Sequence, residues 1–140
     1  MLVSTRGRYA LRVLIDIAQN GHDEPIPLMD IAERQGISEK YLESIMGLLS
    51  KKGFVDAHRG KGGGYKLSRP ASEYTVLSIL QITEGTLAPV TCLESDEQKC
   101  EKAEECCTVG MWTHLYDIIT DYLGSVTLED LIGVNDGQAD

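Results

Sequence analysis

Two short helical patterns parted by a single glycine, with a glycine-rich hairpin directly behind them, restrict the fold of this 140-residue chain more than any other feature. LMDIAERQ, residues 28–35, reads as a two-turn helix closed by Gly36 in the helix-terminating position. Ser38 then supplies an N-cap and Glu39 suits the positive end of the helix dipole, so EKYLESIMGLLSKK forms the next helix with Leu42, Ile45, Leu48 and Leu49 facing inward. Joined by QGIS, the two helices give a helix-turn-helix pattern, which on its own is shared with ordinary helical hairpins. In FVDAHRGKGGGYKLS, apolar and polar residues alternate on both sides of a glycine-rich turn, pairing Phe54–Ala57 with Gly64–Leu67 and placing His58, Arg59 and Lys61 at the tip. The loop lacks the G-x-x-x-x-G-K-[ST] order that cradles nucleotide phosphates. A basic hairpin behind a helix-turn-helix is the winged-helix arrangement, which inserts a helix in the major groove and reaches phosphate or the minor groove with the wing. The expected partner is double-stranded DNA.

Helical spacing predicts further elements on either side. Ser4 or Thr5 caps a first helix with Tyr9, Val13, Leu14 and Ile17 on one face and Arg8, Arg12, Asp16 and Gln19 on the other. Pro25 and Pro27 mark a short extended approach to the second helix. Thr75 caps VLSILQITEG, and Thr108 opens VGMWTHLYDIITDYLGS, where Trp112, Leu115, Tyr116, Ile119, Tyr122 and Leu123 recur at steps of three and four. So broad an aromatic stripe on a small protein fits pairing of two copies better than burial within one, and a two-fold dimer matches a palindromic operator. The expected fold is mainly α with one small β-hairpin: a winged helix-turn-helix region over 1–71, then a connecting helix, cysteine loop and long dimerisation helix over 72–132, and a loose tail at 133–140.

Charge divides at the same place. Residues 1–69 carry 11 Lys and Arg against 8 Asp and Glu, whereas residues 70–140 carry 2 against 14, for a total of −9. Exposed charges are screened beyond about 10 Å at 0.1 M salt, so an acidic total does not prevent the basic half from attracting phosphate. No stretch approaches the roughly 20 apolar residues of a membrane span, and Arg6, Arg8 and Arg12 interrupt the N-terminal apolar pattern, so a cytoplasmic protein without membrane contact is expected. All four cysteines lie in CLESDEQKCEKAEECC, residues 92–107. In a reducing compartment such a cluster points to a metal site or redox sensor rather than to a disulfide framework. The intervening acids do not follow the EF-hand order of oxygen ligands.

Taken together, STRGRYALRVLIDIA, IAERQGISEKYLESIMGLLSKKGFV, RGKGGGYKLSRP and TEGTLAPVTC resemble the Rrf2 family of winged-helix transcription regulators, over about residues 2–131 and including TLEDLI. The chain is similar to the branch that includes the iron–sulfur cluster regulator and the nitric-oxide-sensing repressor. The resemblance implies a DNA-binding regulator, in the main a repressor, with an iron–sulfur cluster ([2Fe-2S] or [4Fe-4S]) held by Cys92, Cys100 and Cys106. Their C-x7-C-x5-C spacing has a first gap two residues longer than in the best-known cluster-binding members. Thiolates are the usual ligands of such clusters, although spacing alone does not separate iron–sulfur from zinc. The fourth ligand stays open: Val109 stands where the cluster regulator has a histidine, Cys107 adjoins Cys106, and Arg8 and Arg12 do not ligate iron. On the DNA side, Tyr41 and Glu43 are expected at base edges, Ser38 at the start of the recognition helix, Lys40 and Lys51 on phosphates, and Arg59, Gly60 and Lys61 at the wing tip.

Three other readings compete. A cluster-free member of the same family would sense sulfur or cysteine supply through a partner protein. A thiol switch would use the vicinal Cys106 and Cys107, which form a strained bridge and lack the C-x-x-C pattern. An iron–sulfur electron carrier would leave the winged-helix half without a purpose, and the chain offers no Ser/His/Asp or Cys/His constellation for an enzyme.

Overall fold

The structure is a computed structural model that describes residues 3–21, 23–94 and 106–137. Among the described residues the fold has six α-helices and one two-stranded antiparallel sheet, with short 3-10 turns at Ala71–Glu73 and Thr91–Leu93: α1 (Thr5–Asn20), α2 (Leu28–Gln35), α3 (Glu39–Lys51), β1 (Val55–His58), β2 (Gly64–Leu67), α4 (Val76–Glu84), α5 (Val109–Ser125) and α6 (Leu128–Gly137). Ser4 caps α1, its hydroxyl accepting from the Gly7 N–H at 3.0 Å. Gly36 ends α2 with φ 67°, the left-handed conformation in which a side chain is strained. Ser38 restarts the chain as the N-cap of α3, and Thr75 does the same for α4.

The hairpin pairs Val55 with Leu67 through His58 with Gly64, one residue later on the first strand than the sequence pattern suggests. Phe54 is drawn out of the strand because its N–H closes the turn after α3, donating to Leu49 O at 2.8 Å, and its ring packs edge-on against Tyr74. Ahead of α2, Ile26 exchanges two backbone hydrogen bonds with Tyr65, at 2.9 and 2.8 Å, and thereby ties the approach to α2 onto the wing.

The main core joins α1 (Val13, Leu14, Ile17), α2 (Ile31), α3 (Leu42, Ile45, Met46, Leu49) and β1 (Val55) to Tyr74, Ile79 and Leu128. Packing therefore runs across residue 71: the Tyr74 hydroxyl donates to Phe54 O at 2.6 Å, and the Leu128 N–H donates to Tyr74 O at 3.0 Å. α6 takes in residues 133–137, which the sequence pattern assigns to a loose tail. It starts with a reciprocal cap in which Thr127 Oγ1 accepts from the Asp130 N–H at 3.1 Å and Asp130 Oδ2 accepts from the Thr127 N–H at 3.0 Å. A second cluster, Val76, Leu80 and Leu87, takes Tyr116 and Leu123 of α5 against it. The stripe expected on α5 is thus divided: Tyr116 and Leu123 face the protein, Trp112 and Ile119 are half-buried, and Leu115 and Tyr122 are exposed in a row that also takes in Met111 and Ile118, outside the expected stripe.

Candidate nucleic-acid interface and cysteine segment

Burial of Leu42, Ile45, Met46 and Leu49 fixes the roll of α3, and the opposite face is left open. Lys40, Ser44, Gly47 and Lys51 run down that face at steps of three and four, with Glu43 beside them, and all are exposed. Gly47 contributes no side chain, so the middle of the face allows close approach. Ser38 is exposed but its hydroxyl is already used as the cap, accepting from the Tyr41 N–H at 3.1 Å. Tyr41 is half-buried, its ring edge-on to Tyr9 of α1 with centroids 6.0 Å apart. It is therefore set back from Lys40 and Glu43 and joins two helices.

Arg59, Gly60 and Lys61 form the exposed wing tip. The turn depends on glycine at two points. Gly60, at φ 88°, accepts from the Gly63 N–H at 2.9 Å, and Gly64, at φ 149°, passes so close to the α2 approach that a Cβ would lie 2.1 Å from Ile26 O. Wing, α2 approach and α3 are consequently fixed to one another through backbone atoms, and the basic tip is held at a set distance from the exposed face of α3.

Sequence periodicity puts Asp16 on the solvent side of α1, and the structure corrects this: Asp16 is 2% exposed. Arg34 of α2 clamps its carboxylate through Nη2 at 2.7 Å and Nε at 3.0 Å, and Gln35 Nε2 donates at 2.8 Å. The hydrogen bonds to Asp16 hold the Arg34 guanidinium above its ordinary pKa. Gln35 continues the network by accepting from Arg12 Nε at 3.0 Å, and Arg12 lies 4.8 Å over the Tyr9 ring. The burial of Asp16 leaves no local signal in the sequence, because its partners lie 18 and 19 residues away.

Of the expected cluster ligands, Cys92 is half-buried in a 3-10 turn spanning Thr91–Leu93, and Cys106 is exposed two residues ahead of the Thr108 cap of α5. Both are free thiols, as is the exposed Cys107. Cys100 lies outside the described residues. The Cys106 thiol is held below the usual cysteine pKa by the Thr108 hydroxyl, 3.2 Å from Sγ, helped by the Thr108 and Val109 N–H groups against a small opposing effect of burial. Among the described residues no three His, Cys, Asp or Glu side chains converge as a metal site, and no helix is long and apolar enough to cross a membrane.

Comparison with known proteins agrees with this architecture. The Rrf2 profile, described as an iron-dependent transcriptional regulator, matches residues 3–133. The HTH-type transcriptional regulator IscR of Photorhabdus laumondii is 38% identical over 132 residues, covering 94% of this chain and 79% of the relative. IscR of Escherichia coli O139:H28 is 36% identical, covering 94% and 80%. Among solved structures, CymR, the global cysteine regulator of B. subtilis, superposes with a TM-score of 0.79 at 34% identity, covering 96% of this chain and 98% of CymR. IscR of T. potens does so with a TM-score of 0.75 at 33% identity, covering 99% and 90%. A winged helix, a two-stranded wing, a long C-terminal helix and matches over nearly the whole chain lead to one conclusion: the protein belongs to the Rrf2 family of transcriptional regulators.

Proposed function

We propose that this Rrf2 regulator is a homodimeric repressor that binds a palindromic duplex operator and reports iron–sulfur, redox or nitric oxide status through a cluster on Cys92, Cys100 and Cys106. The carrying observation is the position of Cys106: a free, exposed thiol with a lowered pKa at the start of α5, the helix whose Met111, Leu115, Ile118 and Tyr122 are left without cover. A ligand at that point acts on the element that two copies would share. The IscR relatives support the cluster reading, and the acidic segment around the cysteines keeps this half away from DNA.

The donor set fits a cluster, since thiolate is the form that ligates iron and Cys106 is biased toward it by its hydrogen bonds. When bound, a cluster would supply an iron centre that responds to oxidants and nitric oxide. The chain's own residues do the rest. Thr108 and the first N–H groups of α5 orient the Cys106 sulfur, and the half-buried Cys92 offers a second thiol from the far side of the segment. Lys40 and Lys51 neutralise phosphates, Glu43 accepts from a cytosine amino group, and Arg59 with Lys61 extends the contact from the wing. Occupancy alters repression by the difference in free energy with which the two states bind DNA.

A second reading is favoured by one observation, the TM-score of 0.79 with the cysteine regulator CymR. On that reading the segment holds no cluster and the signal arrives through a partner protein or the thiols themselves.

The DNA claim is tested by selecting duplexes from a random-sequence pool and titrating the selected duplex at several salt concentrations. Retention of a palindromic site, with log K falling steeply against log salt, is expected. Equal binding to selected and scrambled duplexes would overturn it.

A further inference from the structure

α1 is outside the helix-turn-helix, yet one row of its side chains meets that motif at three successive points. Arg6 Nη2 donates to Ser44 Oγ of α3 at 2.6 Å. Tyr9 packs edge-on against Tyr41, and Arg12 donates to Gln35 through both Nε, at 3.0 Å to the side-chain oxygen, and Nη2, at 3.3 Å to the carbonyl. Residues 6, 9 and 12 share a face of a helix. The inner two contacts are half-buried or next to the Asp16 network and serve to dock α3. The outer one differs: Arg6 and Ser44 are both exposed, and Ser44 lies in the row of Lys40, Gly47 and Lys51.

The chemistry of that outer pair is directional. A guanidinium only donates, so Ser44 Oγ must accept from Arg6, and its own O–H is left to donate. Among the described residues Ser44 has no other hydrogen-bond partner, in contrast to Thr113 on α5, whose hydroxyl is spent on Val109 O at 2.8 Å. Arg6 meanwhile commits Nη2 to the serine, and its other side-chain donors have no partner among the described residues.

We infer that Arg6 and Ser44 act as one DNA-reading unit, in which Arg6 contacts a backbone phosphate while fixing Ser44 as a hydrogen-bond donor to a base-edge acceptor beside the position read by Glu43. The inference rests on the DNA-binding function proposed above. It makes α1 a third element of the interface besides α3 and the wing, and it pairs a donor with an acceptor on adjacent residues: Glu43 accepts, Ser44 donates. A guanine or adenine N7, guanine O6 or thymine O4 meets the donor.

The experiment uses the whole protein, the duplex selected by it, and the variants R6A, R6K, S44A and R6A/S44A. Both sites of change are exposed, and unfolding midpoints are recorded alongside. R6A is expected to reduce the magnitude of the salt slope by about 0.9 per protomer, while R6K retains it. S44A is expected to keep the wild-type slope and weaken the selected duplex on the order of five-fold per protomer, with less effect on a scrambled one. The double variant should lose less than the product of the two single effects, because the bond between the residues is already absent in each. An unchanged slope in R6A, or S44A weakening both duplexes equally, would overturn the inference. Wild-type protein that does not distinguish the duplexes at all would instead overturn the DNA-binding function itself.

Discussion

The two halves of the molecule are built to different standards of completeness. In the basic half, α1 to β2, the core residues Val13, Leu14, Ile31, Leu42, Ile45 and Leu49 are all fully covered, in a core that Tyr74, Ile79 and Leu128 complete, and its one buried carboxylate has three donors. In the acidic half, α5 buries no residue, and Ile118 and Tyr122 are 51% and 65% exposed. Exposed apolar residues scattered singly are ordinary, but a row along one face of a 17-residue helix is not. The first half supplies the scaffold of the proposed DNA contact; the second carries the exposed row that the proposed dimer would cover.

Mutations should respond to that difference. Ile45→Ala opens a cavity in a closed core and should cost about 2–5 kcal/mol in denaturant unfolding. Ile118→Glu should leave the unfolding of the monomer nearly unchanged, within about 0.5 kcal/mol, and abolish dimerisation in sedimentation equilibrium. A dimer that survives Ile118→Glu would break the contrast between the halves. Asp16→Asn removes the charge that Arg34 grips and should cost about 1–3 kcal/mol, with loosening of α2 visible as faster amide exchange. Gly64→Ala forces a Cβ into Ile26 O and should lower both stability, by more than about 1 kcal/mol, and operator affinity. Undiminished affinity would separate the wing from DNA contact.

The smallest effect concerns the seam between the halves. Glu84 at the end of α4 accepts from the Ser4 hydroxyl at 2.7 Å and also from the Ser4 N–H. Burial raises its pKa, but the bonds from Ser4, with help from the Thr83 hydroxyl, together outweigh this and leave it below the ordinary glutamate value. A carboxyl with a depressed folded pKa adds stability above its unfolded pKa and loses it as pH falls through the folded one. Wild type should therefore lose stability in acid, below the usual glutamate range, by less than about 1 kcal/mol from this group, and Glu84→Gln should flatten that part of the curve.

How legible each half is in sequence follows from the same contrast. The bounds of α2 and β2 and the caps Ser38, Thr75 and Gly36 are local chemistry, and the structure reproduces them. β1 moved by one residue because Phe54 is claimed by Leu49 O and the Tyr74 ring, a tertiary effect. Asp16 reads as a surface residue for the same reason. The helix over Leu128–Gly137 did carry a signal, the Thr127–Asp130 cap, which is short and easily passed over ahead of a small-residue tail. The exposure of Lys40, Glu43 and Lys51 follows from amphipathic periodicity, whereas the base-reading role expected of Glu43 comes from the family resemblance; the Arg6–Ser44 contact carries no local signal, because it joins residues 38 apart.

The most direct test compares operator affinity before and after anaerobic loading with ferrous iron and sulfide, in wild type and in a variant with Cys92, Cys100 and Cys106 changed to Ala. The expected result is a brown protein carrying iron and sulfide whose affinity differs from the unloaded form by on the order of ten-fold or more, a coupling of about 1.4 kcal/mol, with neither colour nor shift in the variant. Wild type that takes up no iron, or takes it up with no change in affinity, would contradict the sensing function.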